Sequence, residues 1–385
     1  MRSARCLSEP LPYNGGPGPG GLAFKSLPWN HPLVRVGVLL GLLYVFFLSI
    51  SLMGASFKFF GKNFAAQLIE TTSSPFVGLF IGIFATSLVQ SSSTTTSMTV
   101  GLVAGGVLDV THAVPIVLGA NIGTSVTNTL VSVGHISRPE EFRRAFAAAT
   151  VHDFFNLISV LILFPLQLWT NFLGRASTAM AERFAGVGGL SLLDPVKALT
   201  KPAVAWITEV SGQSGVIMLL VSVALLFFAL RYLVVTLRGL VIGRVESFFS
   251  ETLFRSAWRA LLVGLVLTVM VQSSSITTSL AVPLAGAGIL TLEQIFPMTL
   301  GANVGTTITA ILASLVTGSV AAVSVAFAHL LFNLCGIIIM WPVRRLPLGL
   351  ARLIATLALR RKVVPVAYIL VVFYMIPLLL ITLLG

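Results

Sequence analysis

Gln90-Ser91-Ser92-Ser93-Thr94-Thr95-Thr96-Ser97 returns later in the chain as Gln272-Ser273-Ser274-Ser275-Ile276-Thr277-Thr278-Ser279, with seven of eight positions identical. The offset is 182. It is kept without a gap by Gly119-Ala120-Asn121-Ile122-Gly123-Thr124-Ser125-Val126-Thr127, which pairs with Gly301-Ala302-Asn303-Val304-Gly305-Thr306-Thr307-Ile308-Thr309. Gly82 with Gly264, Thr86 with Thr268 and Pro115 with Pro297 hold the same register. Beyond the polar loop at 135–143 the offset becomes 177, pairing His152, Phe155, Asn156 and Pro165 with His329, Phe332, Asn333 and Pro342. The chain carries two copies of one unit.

Both polar clusters sit inside strongly apolar sequence. The 385 residues are 56% hydrophobic and 9% charged, and mean hydropathy is +0.99. Soluble domains carry about 25% charged residues, so a chain this depleted cannot cover itself in water and lipid must be much of its solvent. The net charge of +12 does not mark a nucleic-acid binder. The basic residues stand in short clusters between apolar runs, as cytoplasmic loops do. Cys6 and Cys335 give no expected disulfide, and no haem or zinc ligand set accompanies them.

The expected fold is an all-α polytopic membrane protein. Apolar runs near 33–55, 113–134, 144–166, 215–238, 295–316, 320–342 and 363–384 are the length of a spanning helix. Residues 76–108 and 257–290 are half as long again and are broken at the middle by hydroxyls and Gln. Each predicts a re-entrant helical hairpin, followed by two transmembrane helices. The organisation expected is a disordered Pro/Gly-rich tail (1–32), a first transmembrane helix and linker (33–70), repeat 1 (71–169) and a connecting region (170–252). Repeat 2 (253–346) and a C-terminal amphipathic segment with a last transmembrane helix (347–385) follow. The connecting region contains an outside loop, a transmembrane helix and an inside linker, with the largest loop at 167–214.

Parity sets the orientation of the copies. A hairpin returns to its own side, as do the two spans after it, while 215–238 crosses once. The second unit is therefore expected to be inverted, the arrangement of many secondary transporters. With the N-terminus cytoplasmic, eighteen basic residues fall inside and six (Lys58, Lys62, Arg175, Arg183, Lys197 and Lys201) outside, consistent with the positive-inside rule.

A polar group without a partner in lipid costs several kcal/mol. One Ser or Thr can bond back to its own helix, but seven in a row cannot all do so on one face. If each hairpin breaks at Gln-Ser-Ser-Ser, its second arm begins with free N–H groups and positive dipole, and Ser is a natural N-cap. Two such ends facing each other form an anion cradle without arginine. Freed carbonyls, Gln oxygens and hydroxyls are hard-cation ligands suited to Na⁺. Asn121, Thr124 and Thr127, with Asn303, Thr306 and Thr309, lie at helical three-residue spacing as a polar stripe able to complete cation coordination.

Asp153, in Ala-Thr-Val-His-Asp-Phe-Phe-Asn-Leu-Ile, has no basic neighbour, and Leu330 holds the matching place. A carboxylate at that depth is functional by default, and its asymmetry predicts a cation site beyond those the duplication supplies. His152 and His329 are read as helix–helix hydrogen bonders. Asp109 and Glu293 mark hairpin ends. A serine hydrolase built on Ser91 or Ser273 with His152 and Asp153 is disfavoured, because adjacent helical residues point about 100° apart.

The paired QSSS motifs, the two GANxGT segments and Phe142-Arg143-Arg144-Ala145-Phe146 running on to Val151-His152-Asp153-Phe154-Phe155-Asn156 resemble the type II sodium-dependent phosphate cotransporters over about residues 70–345. The resemblance implies import of inorganic phosphate by Na⁺ symport across the cell membrane, with no cofactor beyond the co-transported ions. It places phosphate at Gln90, Ser91, Ser92, Ser93, Gln272, Ser273, Ser274 and Ser275. It implies a sodium set drawn from Gln90, Asp153, Asn156, Gln272, Ser273, Thr306 and Thr309, to which the polar stripe adds Asn121, Thr124 and Asn303. Asp153 matches the aspartate that separates electrogenic from electroneutral members. Ala120 and Ala302 depart from the Ser that animal members often carry, and the 167–214 segment has no cysteines. The compact chain is similar to bacterial members. Phosphate, Na⁺ and the bilayer are the expected partners. Hydroxyls alone do not name the anion, so a sodium-coupled sulfate or carboxylate carrier is the alternative reading, and a passive channel a further one.

Overall fold

In lipid only helices satisfy a single segment's backbone, and every regular element among the described residues is helical. The computed structural model describes residues 32–241 and 256–385. The expected N-terminal tail and most of the inside linker lie outside them.

The first half comprises α1 (Pro32–Phe57), α2 (Gly61–Thr71), α3 (Pro75–Val89), α4 (Ser92–Ala104), α5 (Val110–Gly123), α6 (Val126–Val133) and α7 (Pro139–Thr170). After α8 (Phe172–Gly186) and α9 (Asp194–Val210), α10 (Gly215–Val241) connects the halves. The second half comprises α11 (Ala257–Val271), α12 (Ser274–Gly286), α13 (Leu292–Thr317), α14 (Val320–Met340) and α15 (Arg345–Arg360). A last segment, Val364–Leu384, passes through a π-turn at Val371–Met375. Among the described residues, seven helical segments are long and apolar enough to span, including Val34–Phe57, Val110–Val133, Gly215–Leu237 and Val364–Leu384. The chain is a polytopic membrane protein.

Two expectations need correction. The segment 167–214 is not an irregular loop. α7 continues to Thr170, and α8 and α9 fill most of the remainder. Their polar positions hid the helical period, because α8 and α9 are apolar on one side only, as interfacial helices are. The stripe Asn121–Thr124–Thr127 is also not continuous. The helix breaks between Gly123 and Val126, whereas the equivalent stretch of α13 runs through unbroken.

Glycine sets the tightest packing. α3 lies on α5 and α11 on α13 so closely that a Cβ on Gly82 would stand 2.0 Å from the Ile116 carbonyl oxygen, and one on Gly119 would stand 1.9 Å from that of Leu79. The second half repeats this, with 1.9 Å from Gly264 to Met298 and 1.8 Å from Gly301 to Leu261. Small residues let membrane helices meet backbone to backbone. The second arms then cross over. α4 packs on α13 and α14, and α12 on α6 and α7. Neither half is complete alone. Arg144 reaches across and donates to the Gly286 carbonyl at 2.6 Å, closing the C-terminal end of α12. At the helix starts, Asp109 caps α5 through the His112 N–H at 2.9 Å, and a Thr291–Gln294 capping box opens α13. Glu293 pairs with Arg352.

Candidate transport site

The two QSSS segments form the same turn. α3 ends with Gln90 at φ 56° and ψ 29°, and α11 ends with Gln272 at φ 56° and ψ 26°, both left-handed. A non-glycine residue in that region is strained. Each turn is held by a backbone hydrogen bond, Gln90 N–H to Thr86 O at 2.7 Å and Gln272 N–H to Thr268 O at 2.6 Å. Ser91 and Ser273 then adopt extended φ and cap the following helix. Ser91 Oγ accepts from the Thr94 N–H at 3.2 Å and Ser273 Oγ from the Ile276 N–H at 3.4 Å. With the third N–H taken by the cap, the earlier ones at Ser92, Ser93, Ser274 and Ser275 have no helical acceptor.

A cavity of about 280 Å³ lies between the turns. Gln90, Ser91, Ser93, Gln272, Ser273 and Ser275 all line it, together with Thr94, Thr127 and Ile276. Ser92 and Ser274 are buried and do not line it. α10 supplies Phe227, Leu230, Val234 and Arg231 to the remaining wall. Arg231 corrects the expectation of a cradle without arginine. Charge patterning had assigned it to the inside face, and only the fold brings α10 over the turns.

The proposed sodium residues divide into three groups. Beside the cavity, Thr309 donates to Gln272 Oε1 at 2.7 Å and Gln272 Nε2 donates to Val269 O at 2.6 Å, which fixes the amide. Thr306 and Thr124 bond back to Ala302 O and Ala120 O.

The second group joins the halves. His152 Nε2 meets Asn303 Oδ1 at 2.6 Å, and His329 Nε2 meets Asn121 Oδ1 at 3.2 Å. Asn303 Nδ2 also donates to Asn156 Oδ1 at 2.8 Å. Asn156 Nδ2 donates to the Asn121 backbone oxygen at 2.9 Å. That oxygen is one the break after Gly123 leaves without its helical donor.

The third group surrounds Asp153, which is fully buried. Tyr368 Oη donates to Asp153 Oδ2 at 2.9 Å, while Oδ1 has no hydrogen-bond partner. The hydroxyls of Ser125 and Thr129, on either side of the start of α6, donate to the Ile122 and Ser125 backbone oxygens at 2.8 and 3.4 Å. The asymmetric charge thus stands at the asymmetric helix break. Tyr368, Ser125 and Thr129 were not among the expected site residues. The last span carries two phenols, Tyr368 and Tyr374, beside Phe373, so its sequence did not single out Tyr368.

The match to known proteins follows the same two halves. A family model described as Na+/Pi-cotransporter covers residues 45–192 and 212–360. The chain belongs to that family. It is 32% identical to the human sodium-dependent phosphate transport protein 2B over 92% of its own length and 66% of that protein's. It is 32% identical to the sheep sodium-dependent phosphate transport protein 2A over 93% of its length and 69% of that protein's. It therefore spans about two thirds of the length of these curated relatives. No solved structure matches it.

Proposed function

We propose that this family member imports inorganic phosphate by Na⁺ symport. One observation carries the reading: two capped helix N-termini, each with unpaired N–H groups and hydroxyls, share one cavity. A phosphate oxyanion is an acceptor at every oxygen, and helix N-termini are ready sites for it. The names of the relatives, which pair sodium with phosphate, support both ions.

Phosphate contacts Ser91, Ser93, Ser273, Ser275 and the adjoining N–H groups, and Arg231 supplies positive charge at the wall. Sodium takes oxygens beside the second turn, with Gln272 Oε1, Ser273, Thr306 and Thr309 as ligands. The cation is an oxygen-seeking ion that offsets the anion's charge across a few ångströms. A further Na⁺ sits against Asp153 with the Ser125 and Thr129 hydroxyls, which makes transport electrogenic. The two units are inverted re-entrant repeats, and alternating access moves the crossed second arms against α5, α7, α13 and α14 around the fixed site. The N-terminus is cytoplasmic and the membrane is the cell membrane.

The test is uptake of labelled phosphate into proteoliposomes with an inward Na⁺ gradient, with K⁺ replacing Na⁺ as control and sulfate and arsenate as competitors. Sodium-dependent accumulation inhibited by arsenate but not sulfate is expected. Accumulation without Na⁺, or equal competition by sulfate, overturns the assignment.

A further inference from the structure

Beyond the transport site, a second cavity of about 530 Å³ lies between α1 and α9. Lys58, Lys197 and Lys201 all line it, while Ile50, Val204 and Val316 form an apolar wall. Like charges repel, so three ammonium groups on one cavity need a counter-charge. Only Lys197 has one, donating to Asp194 Oδ1 at 2.8 Å and to Leu190 O at 2.9 Å. Lys58 and Lys201 have no carboxylate partner among the described residues. Lysine normally snorkels, stem along apolar surface and head in water. Here the Lys58 side chain, just past the end of α1, and the Lys201 side chain on α9 line a common hollow while both remain exposed. The opposite side of α9, with Leu199, Trp206 and Val210, is exposed at 66%, 65% and 68%, as an interfacial helix is where it meets acyl chains.

The cavity is separate from the QSSS site. Ala104 is the lining residue at the end of α4 whose start carries the first QSSS turn. Thirteen helical residues put those ends about 18 Å apart.

We propose that this cavity binds one anionic phospholipid. Its phosphate group sits between Lys58 and Lys201, with an acyl chain along the apolar wall of Ile50, Val204 and Val316. A free phosphate ion would answer the charge but leave that wall against water, so the lipid is the better occupant. A zwitterionic lipid brings its own cation and gains less from the two ammonium groups. Tyr44 Oη, donating to the Leu199 carbonyl at 3.3 Å, ties α1 to α9 across the crevice. An occupied cavity therefore braces the pair.

Native mass spectrometry of the full-length, delipidated protein tests this, with dioleoyl phosphatidylglycerol or dioleoyl phosphatidylcholine added. The wild type is expected to prefer phosphatidylglycerol. The K58Q/K201Q double variant is expected to lose about tenfold or more of that preference, since each basic side chain near a lipid surface contributes appreciably. K58R/K201R is expected to keep it. Sodium-driven phosphate uptake by K58Q/K201Q in neutral liposomes is expected to match the wild type, showing that the fold is intact. A wild type without preference, or a double Gln variant that retains it, overturns the proposal. Displacement of phosphatidylglycerol by millimolar inorganic phosphate would assign the cavity to the free ion and equally overturn the lipid.

Discussion

His152 on α7 and Asn303 on α13 share a hydrogen bond of 2.6 Å between the two halves, and His329 with Asn121 makes the reciprocal contact at 3.2 Å. An amide oxygen only accepts, so the Nε2 of each histidine carries the hydrogen. Each Nδ1 is then an acceptor, and neither has a partner. The histidines come from α7 and α14, the equivalent helices of the two copies, and the asparagines from the GANxGT segments of the opposite copy. Duplication alone therefore produces a crossed lock, and Asn156, held between Asn303 and the Asn121 carbonyl, connects that lock to the helix break.

Asn303→Ala tests whether the lock is energetic. It removes the acceptor of His152 and the donor to Asn156, leaving two buried polar groups unpaired at about 1–3 kcal/mol each. The thermal midpoint of the detergent-solubilised protein is expected to fall by several degrees. In a double-mutant cycle with His152→Ala, a coupling of about 1–2 kcal/mol is expected, above the membrane-protein average of about 0.6 kcal/mol. Strict additivity would mean that the two side chains are merely neighbours.

Thr309→Val isolates the sodium assignment from the phosphate assignment. The change keeps volume and deletes the donor that holds Gln272 Oε1 at 2.7 Å. A net hydrogen bond of about 1 kcal/mol corresponds to roughly fivefold in affinity. The half-saturating Na⁺ concentration for uptake is expected to rise by about that factor. Ser273→Ala, beside it on the cavity, is expected to abolish uptake with normal membrane expression. If Thr309→Val left Na⁺ dependence untouched, the cation would bind elsewhere.

How far these positions were legible in the sequence differs by the range of the interaction that fixes them. The QSSS turns were readable because a helix break with a Ser cap is a local event, repeated in register, and the glycines that bring α3 onto α5 repeated with it. Arg231 and Tyr368 were not. Each reaches its place through a helix far away in sequence, and neither belongs to the duplicated unit. The break after Gly123 was hidden for a related reason. Thr124-Ser125 and Thr306-Thr307 are nearly the same locally, and the first breaks where the Asn156 amide donates to the freed Asn121 carbonyl. In the second copy the equivalent Asn333 donates instead to the Asn121 side chain and to its own helix at His329 O.

Asp153→Gly removes the charge that the duplication lacks. Phosphate-evoked current in proteoliposomes is expected to disappear, while a reduced sodium-coupled phosphate uptake persists. Tyr368→Phe deletes the hydrogen bond to Oδ2 and keeps the carboxylate. It is expected to retain current and to raise the Na⁺ concentration needed for it. An undiminished current in Asp153→Gly would remove the carboxylate from charge coupling.

Gln90 separates backbone geometry from side-chain chemistry, because its φ of 56° is one that glycine adopts freely. Gln90→Gly and Gln90→Ala delete the same amide. Alanine retains the Cβ that makes left-handed backbone costly, by about 1–2 kcal/mol. If the turn is what matters for the fold, the glycine variant is expected to be as stable as the wild type or more so. The alanine variant then loses no more than glutamine already does in that conformation, and it should melt below the glycine variant. If the amide matters for transport, both variants lose uptake to the same extent despite their different stabilities. Thermal melts and initial uptake rates on the same preparations give the two answers. Uptake that followed stability instead, with Gly above Ala, would assign Gln90 a purely conformational role and leave Ser91, Ser93 and the helix N-termini to hold the anion from this side.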